Sequence, residues 1–289
     1  MCARRRLRYL RGAVTTILFA SYGSSALATE DETWRTFQYM QPLQSKTPLL
    51  SGCNATFIDI GANIGHRVSI LYNPKLRQGR FTGWFANMSR ADVCMLSFEP
   101  DPDNHARLLA RANAFGRRRL YIFQAAVSER NGVANFSSRT GDKLRVAGSI
   151  VRETFEPGIT RSVPTATYTV PTVSFDWLLQ RHVLPVAMQP GARVFIKFDA
   201  EGAEYAAIPA AMKSGALCQS ADALQLETHE HMFAGGVETD ARLARKARSN
   251  WMSTNELAIN FKKATKELEG LHAAGRCRTH LIMMDPWKN

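Results

Sequence analysis

No two of the 5 cysteines stand close enough to form a C-x-x-C knuckle, so a zinc ribbon or finger is excluded. No apolar run reaches the about 20 residues that a confident membrane span requires. There is no internal repeat and no low-complexity segment, so repeat architectures are excluded as well. No acidic residue precedes Glu30, while Arg4, Arg5, Arg6, Arg8 and Arg11 crowd the start. A moderately apolar stretch over residues 12–20 follows, and then Ala26-Leu27-Ala28. That order predicts a secretory signal peptide, or a weak signal anchor, over residues 1–28. It directs the chain to the ER or Golgi lumen or to secretion, with weak membrane association through the N-terminus. A mitochondrial or plastid transit peptide has similar features and stays open.

Without Cys2 the count is even, leaving Cys53, Cys94, Cys218 and Cys277. Four cysteines allow three pairings, among which sequence does not choose. Cys53 with Cys94 and Cys218 with Cys277 are geometrically plausible, and four reduced thiols are the alternative. Asn54-Ala-Thr, Asn87-Met-Ser and Asn135-Phe-Ser are glycosylation acceptor patterns. Of the formal charge of +12, five come from the leader arginines, leaving +7 that is scattered over the remaining chain. That excess reads first as a solvated basic surface and second as attraction to an acidic glycan or anionic membrane face. No oligomeric state is read from it.

Length and composition then predict one α/β domain over residues 53–289, behind a polar linker or lid at 29–52. Residues 57–65 read Phe-Ile-Asp-Ile-Gly-Ala-Asn-Ile-Gly: a strand, a tight turn and a helix start. Glycines let backbone approach a ligand closely, and the following helix presents unpaired N–H groups. Asp59 makes this D-x-G-x-x-x-G. A carboxylate there repels the pyrophosphate of a dinucleotide and suits a cationic ligand, such as the ammonium and sulfonium of S-adenosylmethionine. Asp59, Gly61, Asn63 and Gly65 are therefore candidate cofactor-binding residues.

A second strand over residues 95–99 ends in Glu99, placed to accept ribose hydroxyls, and Asp101 caps the next helix. Further strands are expected at 120–127, 194–198, 223–226 and 279–284, with Asn131-Gly132 as a turn. The chain from 133 to 171 reads as an antiparallel excursion, and residues 73–93 as a surface insertion able to shape an acceptor pocket. Ser253 with Glu256 forms a capping box for a helix running to Gly275. The polar clusters that follow the strands of the main sheet all lie at carboxyl ends, where open α/β sheets bind ligands.

Taken together, residues 57–65, Phe98-Glu99-Pro100, Ala126-Val127-Ser128 with Asn131-Gly132, and Lys197-Phe198-Asp199-Ala200-Glu201-Gly202-Ala203-Glu204 resemble the successive blocks of FkbM-type methyltransferases. Residues 172–179 also fit the family's helix before the fourth strand. The resemblance spans about residues 56–230. It implies a Rossmann-like class I methyltransferase sheet, mostly parallel with helices on both faces. It implies S-adenosylmethionine as donor, with Ala126 added to the cofactor residues, and a hydroxyl of a sugar or small metabolite as acceptor. The family's sheets usually end in two more strands, of which one is found.

Asp199 is expected to orient the acceptor or the donor's amino end, with His229 or Glu201 taking the acceptor proton. Glu204 reads equally well as a partner for the helix dipole. A divalent ion on Asp199, Glu227, His229 and His231 is weighed, and no metal is expected. Nucleic acid is not an expected partner, since the fourth strand is not followed by the Asn/Asp-Pro-Pro-aromatic pattern of base amino methylation. Two other readings remain open: a catalytically silent binding protein of the same fold, and an NAD(P)-dependent oxidoreductase.

Overall fold

The computed structural model describes residues 35–73, 83–85, 88, 93–116, 119–139, 165–229 and 255–284. The leader, the sequon at Asn87, Ser253, Glu230 and His231 lie outside the described residues.

Among the described residues, six strands form one parallel sheet in the order β3-β2-β1-β7-β8-β9. They are β1 (Ala55–Ile60), β2 (Val93–Phe98), β3 (Leu120–Phe123), β7 (Arg193–Phe198), β8 (Ala223–Glu227) and β9 (His280–Met284). Every residue of β1 and β2 is buried, as expected of central parallel strands covered on both faces. Alternate side chains feed two cores. Ile58, Ile60, Leu96, Phe98, Ile196 and Phe198 face one side. Ala55, Phe57, Val93, Met95 and Phe195 face the other.

The first core is closed by α5 (Glu204–Ser214) and α7 (Glu256–Ala273), through Ile208 and Phe261 among others. The second is closed by α1 (His66–Tyr72) and α2 (Pro102–Asn113), through Val68 and Leu108. Asp101 caps α2 by accepting from the N–H groups of Asp103 and Asn104, with Pro102 in the first turn. At α7 the cap is Asn255, which accepts from Leu257 and Ala258. The capping box expected from Ser253 therefore starts the helix two residues too early.

Three further departures follow from packing. The run expected as one strand over 120–127 is two: β3 stays in the large sheet, while β4 (Ala126–Ser128) joins a second sheet of order β4-β6-β5. A period of two is the same in both sheets, so the alternation does not reveal the exchange. The expected excursion is the antiparallel pair β5 (Gly132–Arg139) and β6 (Thr165–Ser174). β6 runs through Ser174, whose side chain caps α3 (Phe175–Leu178), so the helix read over 172–179 starts only at Phe175. Asn131 Oδ1 accepts from Ser174 N–H and ties the two ends of this excursion together.

Residues 38–50 are packed against the domain and are no free linker. Gln38–Gln44 is a 3-10 helix, and Met40, Leu43 and Leu50 are fully buried in the first core. In the 73–93 insertion, Phe85 is buried against Phe57 and Phe195. Disulfides join Cys53 to Cys94 and Cys218 to Cys277. Among the described residues no helix is long and apolar enough to cross a membrane.

Candidate active site

A cavity of about 490 Å³ opens at the carboxyl ends of the parallel strands. Gly61, Asn63, Glu99, Ala126, Asp199 and Glu201 line it, together with Glu227. Asp59, Gly65 and His229 stand behind this wall. The structure thus gathers nine expected residues around one centre in two layers.

The turn after β1 is held from below. Gly61 and Ala62 donate their N–H groups to Phe98 O, and Asn63 N–H donates to Glu99 Oε2 (2.7 Å). Asn63 has φ of 51°, a left-handed conformation that Asn tolerates better than most residues, and its Oδ1 accepts from Ile64 N–H. Both glycines of the motif answer to neighbouring chain. A Cβ on Gly61 would overlap the carbonyl oxygen of Asp199, and one on Gly65 would press on Leu108 of α2. Glu99 Oε1 accepts from Asp101 N–H (2.9 Å), and burial pushes its carboxyl up to about 8.

Asp59 is fully buried in register with Lys197 of β7, whose Nζ lies 3.4 Å from Asp59 Oδ1. Burial raises the Asp59 carboxyl, against the pull of that ammonium. The same Nζ donates to Gly61 O (3.0 Å) and pairs with Asp199 Oδ2 (2.9 Å). Lys197 therefore joins the first motif to the last. It stands out in the sequence only as a lysine inside an apolar strand, two residues before an acid and so on the same face.

Of the two acids paired with Lys197, Asp199 is the one that lines the cavity. Burial opposes its ionisation, but Lys197 and His229 outweigh that and hold its carboxyl well below the usual range. His229 is buried between carboxylates. Its Nδ1 lies 3.0 Å from Glu204 Oε1, and its Nε2 lies 3.3 Å from Asp199 Oδ1 and 3.5 Å from Glu201 Oε2. Against its burial, these acids raise the imidazole to about 11, so both ring nitrogens carry protons. Burial pushes Glu201 up to about 7.

Glu204 starts α5 as expected, yet its carboxylate does more than face the helix end. It is fully buried and accepts from Gly202 N–H (2.8 Å) and His229 N–H (3.1 Å) besides the ring. This contact joins the tips of β7 and β8, which local sequence does not reveal.

A family model described as Methyltransferase FkbM domain matches residues 59–257, which is more than half of the 289-residue chain. No curated protein and no solved structure matches it. The match opens on Asp59 and takes in Glu99, Asp199, Glu201 and His229, the residues gathered at the cavity. The chain belongs to the FkbM methyltransferase domain family.

Proposed function

We propose that the protein transfers a methyl group from S-adenosylmethionine to a hydroxyl of a sugar or small metabolite. The observation that carries this is an ionised Asp199 in the wall of a cavity beneath the Gly61 turn, with Glu99 on the other side of that turn, at the tip of β2. On this reading Glu99 accepts the ribose hydroxyls, and Asp199 supplies a counter-charge for the donor's ammonium and sulfonium. Asp59 acts through Lys197, which holds Asp199 toward the cavity.

The transfer is an in-line displacement: the C–O bond forms as the C–S bond breaks, and the sulfonium becomes a neutral thioether. The acceptor's proton passes to Glu201, because His229 already carries both ring protons and Asp199 is held well below the carboxylate range. The two disulfides and the leader sequence favour a secretory lumen as the place of reaction.

Calorimetry of the full chain with S-adenosylhomocysteine, in EDTA, tests the cofactor. Asp199→Asn keeps the shape and removes the charge, so affinity should fall at least tenfold, the equivalent of about 1.5 kcal/mol or more for a hydrogen bond to a charged group. The reading is overturned if the native chain binds no S-adenosylhomocysteine, or if it binds NAD(P)H in its place. Labelled methyl donor offered with sugars and small alcohols then identifies the acceptor.

A further inference from the structure

Beyond the tips of β7 and β8 the side chains form a donor set that methyl transfer alone does not require. One donor atom each from Asp199, Glu201 and His229 lies within 4.8 Å of the other two. His229 Nε2 is 3.3 Å from Asp199 Oδ1 and 3.5 Å from Glu201 Oε2. In a six-coordinate shell with bonds of about 2.1 Å, adjacent donors stand about 3 Å apart and opposite donors about 4.2 Å. The two pairs that involve His229 Nε2 fall between the adjacent and the opposite spacing of one shell.

Two other features point the same way. The far nitrogen of the imidazole, Nδ1, is held by the fully buried carboxylate of Glu204, which is itself fixed by Gly202 N–H. A carboxylate behind a histidine is how metal-binding imidazoles are oriented and made more basic. Lys197 engages Asp199 Oδ2, which leaves Oδ1 on the His229 side. Asp199 and Glu201 also line the cavity, so the remaining coordination positions open into it.

We propose that Asp199, Glu201 and His229 bind one divalent cation at the wall of the cavity, the ion displacing the proton of His229 Nε2 to solvent. Two carboxylate oxygens and one imidazole suit Mn²⁺ or Mg²⁺ better than a metal that prefers thiolates. The sequence reading expects no metal, and the set it weighed included Glu227 and His231 where the geometry brings in Glu201. Only the use of the ion rests on the methyltransferase reading: there it acts as a Lewis acid on the acceptor oxygen.

The test is calorimetry of Mn²⁺ into the full chain after EDTA treatment and dialysis, with electron paramagnetic resonance reporting bound Mn²⁺. One ion per chain is expected. Glu201→Gln, at a partly exposed turn, and His229→Gln should each weaken binding more than tenfold. Glu204→Gln, which does not reach the ion, should weaken it about 10- to 100-fold. Thermal unfolding of each variant confirms that it is folded.

No Mn²⁺ bound by the native chain at millimolar concentration overturns the site, as does native affinity in folded Glu201→Gln and His229→Gln. S-adenosylhomocysteine binding in EDTA separates the two proposals. If it binds while Mn²⁺ never does, the metal site falls and the methyltransferase reading stands. If Mn²⁺ binds and S-adenosylhomocysteine does not, the reverse holds.

Discussion

Gly61 sits at φ of +74° where the turn after β1 meets the turn after β7, and the Asp199 carbonyl fills the space a side chain would need. Gly116 also has positive φ but has open space around it. The pair makes a clean comparison. Gly116→Ala pays only the left-handed backbone cost of about 1 kcal/mol. Gly61→Ala adds a clash with backbone that cannot swing aside, so it should lose several times as much stability in urea titration. Equal losses would show that the two turns are not in contact. A glycine at position 61 is legible in the sequence as a turn residue. The reason it must be glycine is not, because the obstructing atom belongs to a residue 138 positions away.

Among the elements, the packing of residues 38–50 most clearly exceeds what periodicity predicts. Met40, Leu43 and Leu50 are too few to make a sustained periodicity in a polar stretch, so it reads as a linker although those three side chains are fully buried. His182, in the helical turn between α3 and α4 (Leu184–Ala187), fastens it in place. Nδ1 accepts from Leu49 N–H (3.3 Å), and Nε2–H donates to Leu43 O (3.0 Å). This pairing requires the neutral ring, and burial, with Arg181 adding to it, pushes the imidazole down to about 4. The unfolded chain has an ordinary histidine near 6.5 and so binds more protons between those values. Stability is therefore full above about pH 6.5 and falls as pH drops toward 4, by about 3 kcal/mol over the window. The melting temperature of His182→Gln, whose amide can make both bonds, should fall less steeply over that range than the native one. Parallel curves would show that this ring does not titrate with unfolding.

For the molecule as a whole, the two disulfides staple opposite parts of the sheet. Cys53 and Cys94 join the entries to β1 and β2 across 41 residues, and Cys218 and Cys277 join α6 (Ala216–Ser220) to the entry of β9 across 59. Loops of that length stabilise by about 4 kcal/mol each on the chain-entropy account. Cys218→Ala with Cys277→Ala should lower the melting temperature by roughly 10 °C. An unchanged midpoint, or free thiols in the native chain on intact-mass labelling, would contradict the pairing. The sequence by itself determined the parallel sheet, the acids at the strand tips and the glycine turn between them, because alternation, turn chemistry and capping are written within a few neighbouring residues. Only the tertiary structure decided that β1 lies beside β7, which puts Asp59 in register with Lys197 and Lys197 against Asp199. It alone brought Glu204 under His229 and turned Glu201 toward the same imidazole. Such contacts join residues on separate strands and turns, and no local pattern encodes which strand tips become neighbours.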